Sequence, residues 1–201
     1  MPRAHGDGTP EPLELTEAAR PSNPAESAEA MHAKEPATAP EAHAALLAFI
    51  KGTGAACAIL EHAPARTIDD ARKSLDLDIT RIIKTIAFAL RDETLVLAAL
   101  RGTRRVDYAK LAALSGVNRR DLRALSPAEV EARLGVAPGG VSPALPKALG
   151  LANVLLSMDA DALSIAPTAY CGLGRADRTL EMDPQGLAAL CGARAGVFSK
   201  E

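Results

Sequence analysis

The sequence predicts a single α/β (α+β) domain in which helices surround a mixed or barrel-like β-sheet. The chain has 201 residues, 48% of them hydrophobic, which is enough for one domain with a sizeable core. Strand and helix patterns are interspersed without regular alternation. Several consecutive strands are joined by turns too short for a parallel crossover, so part of the sheet must be antiparallel.

The first 40 residues differ in composition from the rest of the chain. They hold seven of the fourteen prolines, with three basic and seven acidic residues, and no apolar period runs through them. This composition is typical of a disordered Pro/Ala/Glu-rich tail, and an ordered arm is the alternative. We therefore place the folded domain at residues 41–201, whose net charge of about +2 permits an anionic partner without requiring one.

Start and stop signals predict the elements of the first half in chain order. "EAHAALLAFIKG" has helical periodicity and ends at Gly52, and "AACAILEH" favours a strand. Thr67 can cap a short helix, "IDDARKSL". "RIIKTIAFAL" and "LVLAAL" are predicted strands joined by the turn "RDET". Asp107 caps the helix "YAKLAALS", which ends at Gly116.

The second half contains two more clearly bounded helices and several strands. A capping box that begins at Ser126 starts a helix that ends at Gly135. "NVLLSM", "IAPTAYC" and "RTLEM" are predicted strands, with "GLGRAD" as the turn between the last two. Asp183 starts the last helix, which Gly192 ends, and "AGVFS" is expected to close the sheet.

The stretch "LGVAPGGVSPALPKALG", residues 134–150, predicts a stiff loop. Three prolines and two glycines fall within residues 138–146, which no helix or strand interior tolerates. Its glycines would let backbone N–H groups approach a ligand, and such groups can cradle an oxyanion or a carbonyl. The alternative is a plain tight connection between a helix and the next strand.

Lys84 lies on the apolar face of a predicted strand. Alternation in "RIIKTIAFAL" puts it between Ile82 and Ile86, with Phe88 and Leu90 further along the same face. An unpartnered ammonium buried there would cost several kcal/mol. Either the lysine extends into solvent at a strand end, or the sheet opens there into a cavity that suits a phosphate or carboxylate.

Other classes of site are disfavoured. The cysteines form no CxxC pair and the histidines have no ligand spacing, so we predict free thiols, no metal and no other cofactor. These residues are Cys57, Cys171, Cys191, His5, His32, His43 and His62. We expect His62 to be a strand-end residue rather than a base, and Cys171 to be a buried thiol rather than a pocket residue. No Ser-His-Asp order, Cys-His pair or carboxylate dyad has a convincing spacing.

No apolar run nears the roughly 18 residues of a membrane span and no secretory signal is present, so the expected location is cytoplasmic.

Two motifs together resemble a known family. "IIKTIAF", followed about fifty residues later by "GGVSP", resembles the YbaK/proline-tRNA-synthetase-associated domain superfamily, whose members deacylate wrongly charged tRNA. "LVLAALRGTRRVDYAKLAALSG" and "AYCGLGRADRTLEMDPQGLAAL" are similar to the family's intervening and following segments. The resemblance covers residues 42–199 and implies a barrel-like mixed sheet.

The resemblance also implies a pocket, in which Lys84 would hold a phosphate or the 3′-terminal adenosine of tRNA. The implied site residues are Lys84, Gly139 and Gly140 as catalytic, and Thr85, Val141, Ser142, Pro143, Gly172, Gly174 and Thr179 as substrate-binding. Backbone groups of residues 139–143 would orient the aminoacyl group. The turn that contains Gly172 and Gly174 would form the opposite wall of the pocket. Backbone and the substrate's own ribose hydroxyl would position the hydrolytic water, so no side-chain nucleophile is needed.

The sequence departs from the family's pattern in two places. Ala144, Leu145 and Pro146 follow the loop where many relatives have Phe-Gly or Leu-Gly, which leaves the substrate side chain open. Thr179 stands where some relatives have an acidic residue, so no role for an acid carries over.

Two groups of arginines are candidates for tRNA contact. Arg101, Arg104 and Arg105 flank a turn, and Arg119, Arg120 and Arg123 follow one helix later. They form either an ordinary solvated surface or a patch for the phosphates of the acceptor stem.

Three functional hypotheses follow. The first is a deacylase of mischarged tRNA, with tRNA for proline carrying a small wrong amino acid as the first candidate and a synthetase as a further partner. The second is a non-catalytic module that binds a tRNA end or a nucleotide. The third is deacylation of a small-molecule ester or amide.

Overall fold

The computed structural model describes residues 37–65 and 78–201. Most of the predicted tail and the predicted helix after Thr67 lie outside the described residues. The helices are α1 (Ala39–Gly52), α2 (Tyr108–Ser115), α3 (Pro127–Leu134), α4 (Leu145–Leu149), α5 (Ala160–Leu163) and α6 (Pro184–Cys191). The strands are β1 (Cys57–Glu61), β2 (Ile82–Ala89), β3 (Leu95–Arg101), β4 (Arg105–Val106), β5 (Arg123–Ala124), β6 (Val154–Asp159), β7 (Ala169–Gly172), β8 (Arg178–Met182), β9 (Arg194–Gly196) and β10 (Ser199–Lys200).

The sheet is mixed, as the sequence predicts. Seven strands follow one path in the order β1-β8-β7-β2-β3-β6-β9, and β5 pairs with β2 off that path. The pairs β1/β8, β7/β8, β2/β3 and β2/β5 are antiparallel, whereas β2/β7, β3/β6 and β6/β9 are parallel. Strands β4 and β10 form a separate two-stranded ladder.

The core occupies both faces of β3. Leu95, Leu97 and Ala99 belong to the larger apolar cluster, which includes the inner face of α1. The alternate residues of β3 belong to a second, smaller cluster that contains Phe88 and Phe198. Since side chains alternate along a strand, a strand buried on both faces must be apolar throughout, as "LVLAAL" is.

The stiff loop differs from its prediction in one respect. Residues 145–149 form helix α4, whereas the sequence predicts irregular backbone as far as residue 150. Pro146 lies in the first turn of this helix, where its missing N–H has no intrahelical partner to lose. The predicted strand "IAPTAYC" is likewise shorter, because it pairs only from Ala169 onward.

A buried carboxylate fixes the C-terminal segment. Asp159, at the end of β6, is 0% exposed, and its Oδ2 accepts hydrogen bonds from the backbone N–H groups of Phe198 (2.7 Å) and Ser199 (2.8 Å). Its Oδ1 accepts from the Ser199 hydroxyl at 2.8 Å and from the Asp161 N–H at 3.0 Å. One side chain therefore satisfies donors from two segments that are about forty residues apart in the chain.

Replacing Asp159 with alanine is expected to lower the free energy of unfolding by about 3 kcal/mol. The substitution leaves buried N–H donors without acceptors, and each such group costs about 1–3 kcal/mol. The change in urea midpoint measures the loss. Asp92→Ala is the control, because Asp92 accepts one N–H, that of Thr94, at an exposed turn. Equal midpoints for the two variants would contradict the role given to Asp159.

Two general features concern the described residues alone. Within residues 37–65 and 78–201, no helix is long and apolar enough to cross a membrane. Over the same ranges, no group of three or more His, Cys, Asp or Glu side chains is arranged to hold a metal ion.

Candidate functional site

The site lies at a gap in the sheet beside β2. The parallel ladder with β7 ends at Ile83, and the antiparallel ladder with β5 begins at Phe88. The Ala87 carbonyl accepts the N–H of Leu125, just after β5, at 2.9 Å, so residues 84–86 are the ones without a strand neighbour on this side among the described strands. Because the Gly102 N–H bonds to the Ile82 carbonyl, alternation directs the Thr85 peptide groups away from β3 and toward the gap.

A cavity of about 290 Å³ fills this gap. This volume is close to the lower end of the roughly 300–1,000 Å³ typical of small-molecule sites. The described residues that line it are His62, Ala65, Ile82, Ile83, Lys84, Thr85, Ile86, Gly139, Val141, Tyr170, Cys171, Gly172, Arg175, Ala176, Arg178 and Thr179. Lys84 and Gly139, 55 positions apart in the chain, thus border the same cavity.

Lys84 is half-buried on the wall of this cavity. Its Nζ donates a hydrogen bond to the Gly102 carbonyl at 2.9 Å. An ammonium has three N–H donors, so two remain for a ligand. Burial lowers the pKa of Lys84, and the charge of nearby Arg105 lowers it further. An anion in the cavity would offset both effects, since it favours the charged form of the amine.

The stiff loop around Gly139 and Gly140 (the Gly-Pro loop) packs its backbone against the backbone of the turn around Gly172 and Gly174 (the glycine turn). Gly174 donates its N–H to the Gly140 carbonyl at 2.8 Å. A Cβ added to Gly172 would lie 2.7 Å from the Gly139 carbonyl oxygen and 2.9 Å from the Gly140 carbonyl carbon. Gly139 itself has a φ of 87°, a conformation that side chains strongly disfavour. The glycines therefore let the two turns meet at one side of the cavity.

Cationic side chains dominate the charge of the lining. Lys84, Arg175 and Arg178 line the cavity, and the described lining contains no acidic residue. Asp177, just outside it, binds Arg175 through two contacts of 2.8 Å and Arg178 at 3.1 Å. These bonds to the two arginines hold the pKa of Asp177 well below its usual range, with the Arg175 hydrogen bond as the largest cause. The arrangement suits an anionic ligand.

Two hydroxyl groups add polar chemistry to the wall. Thr85 Oγ1 is buried and has no hydrogen-bond partner in the structure. Thr179 Oγ1 lies 3.0 Å from His62 Nε2, and His62 Nδ1 lies 2.7 Å from the Ala63 carbonyl oxygen. A buried polar atom without a partner costs free energy, so Thr85 is available to a ligand that can hydrogen-bond to it.

Cys171 borders the cavity but is a poor nucleophile. Complete burial, with a smaller contribution from neighbouring Cys191, raises the pKa of the Cys171 thiol to about 12. A thiol in this state carries almost no thiolate at neutral pH. Cys171 is buried, as predicted, but the expectation that it lies outside the pocket is wrong, because its side chain is part of the cavity lining.

The structure brings six of the predicted site residues together around the cavity. They are Lys84, Thr85, Gly139, Val141, Gly172 and Thr179. Four other predicted site residues are buried behind this lining, where they shape the two turns: Gly140, Ser142, Pro143 and Gly174.

The predicted arginine patch is divided. Arg101 and Arg104 form ion pairs with Asp161 at 2.9 and 3.2 Å, and Arg104 also contacts Glu201 at 3.5 Å. Arg105 is exposed and is in no ion pair within the described part of the chain. Carboxylates therefore neutralise the charges of Arg101 and Arg104 but not that of Arg105. Contact of any of the three with tRNA stays a prediction.

Comparison with known families identifies the fold. A profile of the aminoacyl-tRNA editing domain matches residues 62–190, which is more than half of the chain. The chain belongs to the aminoacyl-tRNA editing domain family. The match spans β2, the Gly-Pro loop and the glycine turn, and so includes every described residue of the cavity lining. No curated protein matches the chain.

Solved structures share the architecture of this editing domain. The hypothetical protein APE2540 is 26% identical with a TM-score of 0.68, over 78% of this chain and 99% of its own. A proposed trans-editing enzyme for prolyl tRNA synthetase is 24% identical with a TM-score of 0.63, over 81% of this chain and 97% of its own. A scaffold used for computational epitope grafting is 20% identical with a TM-score of 0.61, over 81% and 97%.

Sequence reasoning missed three polar residues of the editing domain's cavity. Arg175 and Arg178 lie in and after "GLGRAD", which marked a turn but gave no direction for its side chains. His62 was expected to be a strand-end residue, and it does follow β1 directly. Its place on the wall depends on the pairing of β1 with β8, which no local pattern specifies.

Proposed function

We propose that this editing domain is a hydrolase that cleaves the ester bond of mischarged aminoacyl-tRNA in trans. The observation that carries the proposal is the shared cavity of Lys84 and the Gly139 backbone, with cations and no acid in its described lining. The family match supports an aminoacyl-tRNA editing role, and the cavity supplies chemistry suited to the ester cleavage.

The cavity offers a separate contact for each part of an aminoacylated tRNA end. The Lys84 ammonium binds phosphate or the terminal nucleotide through its two remaining donors. The Gly140 N–H already donates to the Ala137 carbonyl at 2.9 Å, so the other N–H groups of the Gly139 turn would stabilise charge that develops on the ester carbonyl oxygen. Thr85 Oγ1 receives the partner that it lacks from the aminoacyl group. Ile83, Ile86 and Val141 form the apolar wall beside it.

The substrate of this proposed reaction carries a small amino acid. A cavity of about 290 Å³ that also admits part of the ribose leaves little room for a long side chain. Exclusion by size is effective, because a pocket can reject a larger residue by steric overlap. Alanine or a similar residue on tRNA for proline remains the first candidate, and one fold neighbour is described as a proposed trans-editing enzyme for prolyl tRNA synthetase.

Release of amino acid from a panel of mischarged tRNAs tests the proposal. The purified full chain is incubated with tRNAs that carry wrong amino acids of increasing size, and the remaining charged fraction is followed over time. We expect release from the small members and none from the large ones. Binding without release across the whole panel would instead support the non-catalytic module, and release from aminoacyl esters that lack tRNA would support a small-molecule esterase.

Arg105 is the member of the arginine patch that we expect to contact tRNA. Arg105→Ala should weaken tRNA binding several-fold at low salt and reduce the salt slope of log K by about 0.7–1, as expected for one lost phosphate contact. Filter binding at four salt concentrations measures both. Arg91→Ala is the control, because Arg91 is exposed but paired with Asp121 at 2.7 Å. An unchanged slope in Arg105→Ala would remove this residue from the interface.

A further inference from the structure

His62 and Thr179 form a hydrogen-bonded pair that the proposed function does not yet use. Strands β1 and β8 are antiparallel neighbours, with Leu60 opposite Thr179. The chain after β1 keeps this course, since His62 donates its backbone N–H to the Asp177 carbonyl at 3.2 Å. The imidazole and the hydroxyl therefore meet on the cavity wall, with Nε2 and Oγ1 3.0 Å apart.

The second nitrogen of His62 fixes the direction of this hydrogen bond. Nδ1 lies 2.7 Å from the Ala63 carbonyl oxygen, which can only accept. Nδ1 therefore carries the hydrogen, and in the neutral imidazole Nε2 is the acceptor. The Thr179 hydroxyl then donates to Nε2, so the lone pairs of its oxygen remain for a donor in the cavity.

From this geometry, and resting on the proposed function, we propose that Thr179 and His62 relay the proton of the hydrolytic water. The water donates to Thr179 Oγ1 and its oxygen attacks the ester carbonyl carbon. As the new C–O bond forms, the water proton passes to Oγ1 and the threonine proton passes to His62 Nε2. The imidazole thereby becomes an imidazolium, whose charge both ring N–H groups share with hydrogen-bond acceptors.

The return of the same proton completes the reaction. When the tetrahedral intermediate collapses, the bond to the ribose oxygen breaks, and the proton passes back from His62 through Thr179 to that oxygen. The products are the free tRNA end and the amino acid, whose carboxyl group releases the second water proton to solvent. Thr179 contacts the reacting water, whereas His62 acts through Thr179 and holds the proton between the two steps.

The charges around this end of the cavity come from every neighbouring element. Glu61 of β1 pairs with Arg178 of β8 at 3.3 Å, and Arg178 also contacts Asp177. Arg175 of the turn is paired with Asp177, and Lys84 of β2 lies on the same cavity wall. Acidic and basic side chains are therefore both present at this end of the cavity.

The first arm of the test separates the hydroxyl of Thr179 from its shape. Thr179→Val keeps the size and suits a strand, whereas Thr179→Ser keeps the hydroxyl. We expect kcat to fall about 100-fold in Thr179→Val and by less than about tenfold in Thr179→Ser, because general acid–base catalysis contributes about 10²–10⁴. The KM should change little in both variants, and urea midpoints report whether each is folded.

The second arm uses pH and chemical rescue. In wild type, kcat/KM should fall on the acid side as an imidazole takes up its proton, and this limb should be absent in His62→Gln. Added imidazole should raise the rate of His62→Ala but not of the double variant His62→Ala/Thr179→Val. A merely structural role of His62 would produce neither result.

The outcomes distinguish the relay from the proposed function. Full activity in Thr179→Val, or an acid limb retained in His62→Gln, overturns the relay while the deacylase stands. Wild type that releases no amino acid from any mischarged tRNA overturns both.

Discussion

Lys84→Ala is expected to lower the rate of amino acid release from mischarged tRNA at least about 100-fold. The variant removes the cation of β2 that borders the cavity together with the Gly139 turn. A preorganised donor aimed at developing or bound negative charge typically contributes a factor of about 10²–10³. The protein should remain folded, because the lysine is half-buried and its one observed bond, to the Gly102 carbonyl, lies at a turn.

Single-turnover kinetics on the tRNA that wild type cleaves best measure this loss. Lys84→Arg is informative because it keeps the charge but replaces a compact ammonium with a larger planar group, so it should recover binding more than rate. Lys110→Ala is the matched control, since Lys110 is an exposed lysine of α2. Release by Lys84→Ala within threefold of wild type would contradict the central role of this residue.

Gly172→Ala is expected to damage both the fold and the site. The new methyl group would lie 2.7 Å from the Gly139 carbonyl oxygen and 2.9 Å from the Gly140 carbonyl carbon, which are backbone atoms that cannot rotate away. Overpacking of this kind costs about 1–3 kcal/mol. Relief requires the two turns to separate, and a displacement of about 1 Å at the Gly139 turn should lower the rate of release about 100-fold.

Urea unfolding and deacylation rates, measured on the same preparation, separate the two effects. Gly52→Ala is the matched control, because a Cβ at Gly52 meets nothing within 4 Å. It should leave the rate unchanged and the free energy of unfolding within about 0.5 kcal/mol of wild type. If Gly172→Ala matches this control in both measurements, the close packing of the two turns is not needed for the site.

Local signals predicted most of the elements, for identifiable physical reasons. Asp107, Ser126 and Asp183 each accept a backbone N–H at the start of the helix they were expected to cap. Gly116 and Gly135 end their helices in the left-handed conformation. Helix capping and hydrophobic periodicity depend on residues within one or two helical turns of each other, so both can be recognised directly in a sequence.

The short elements α4 and α5 were not predicted. They contain five and four residues, too few to show a hydrophobic period. In α4 the prolines that argue against a helix interior are harmless, because Pro146 occupies the first turn. Whether a proline falls at a helix start or in its interior depends on where the chain turns, and packing decides that.

The composition of the cavity was only partly predictable. Lys84 could be singled out because a charge on an apolar face is anomalous by itself. Arg175, Arg178 and His62 are unremarkable in sequence, since they follow a turn or a strand where polar residues are expected. Their common location depends on β8, which pairs with β1 on one side and with β7 on the other.

The sequence by itself determined the helix caps, the alternation of the strands, the family and the two motifs that mark the site. Only the tertiary structure decided that the ladder beside β2 is interrupted between Ile83 and Phe88, and that the cavity lies in this interruption. The physical reason is that capping and alternation are contacts between near neighbours in the chain. A gap in a sheet is instead defined by which distant strands stop pairing, and that depends on the packing of the whole domain.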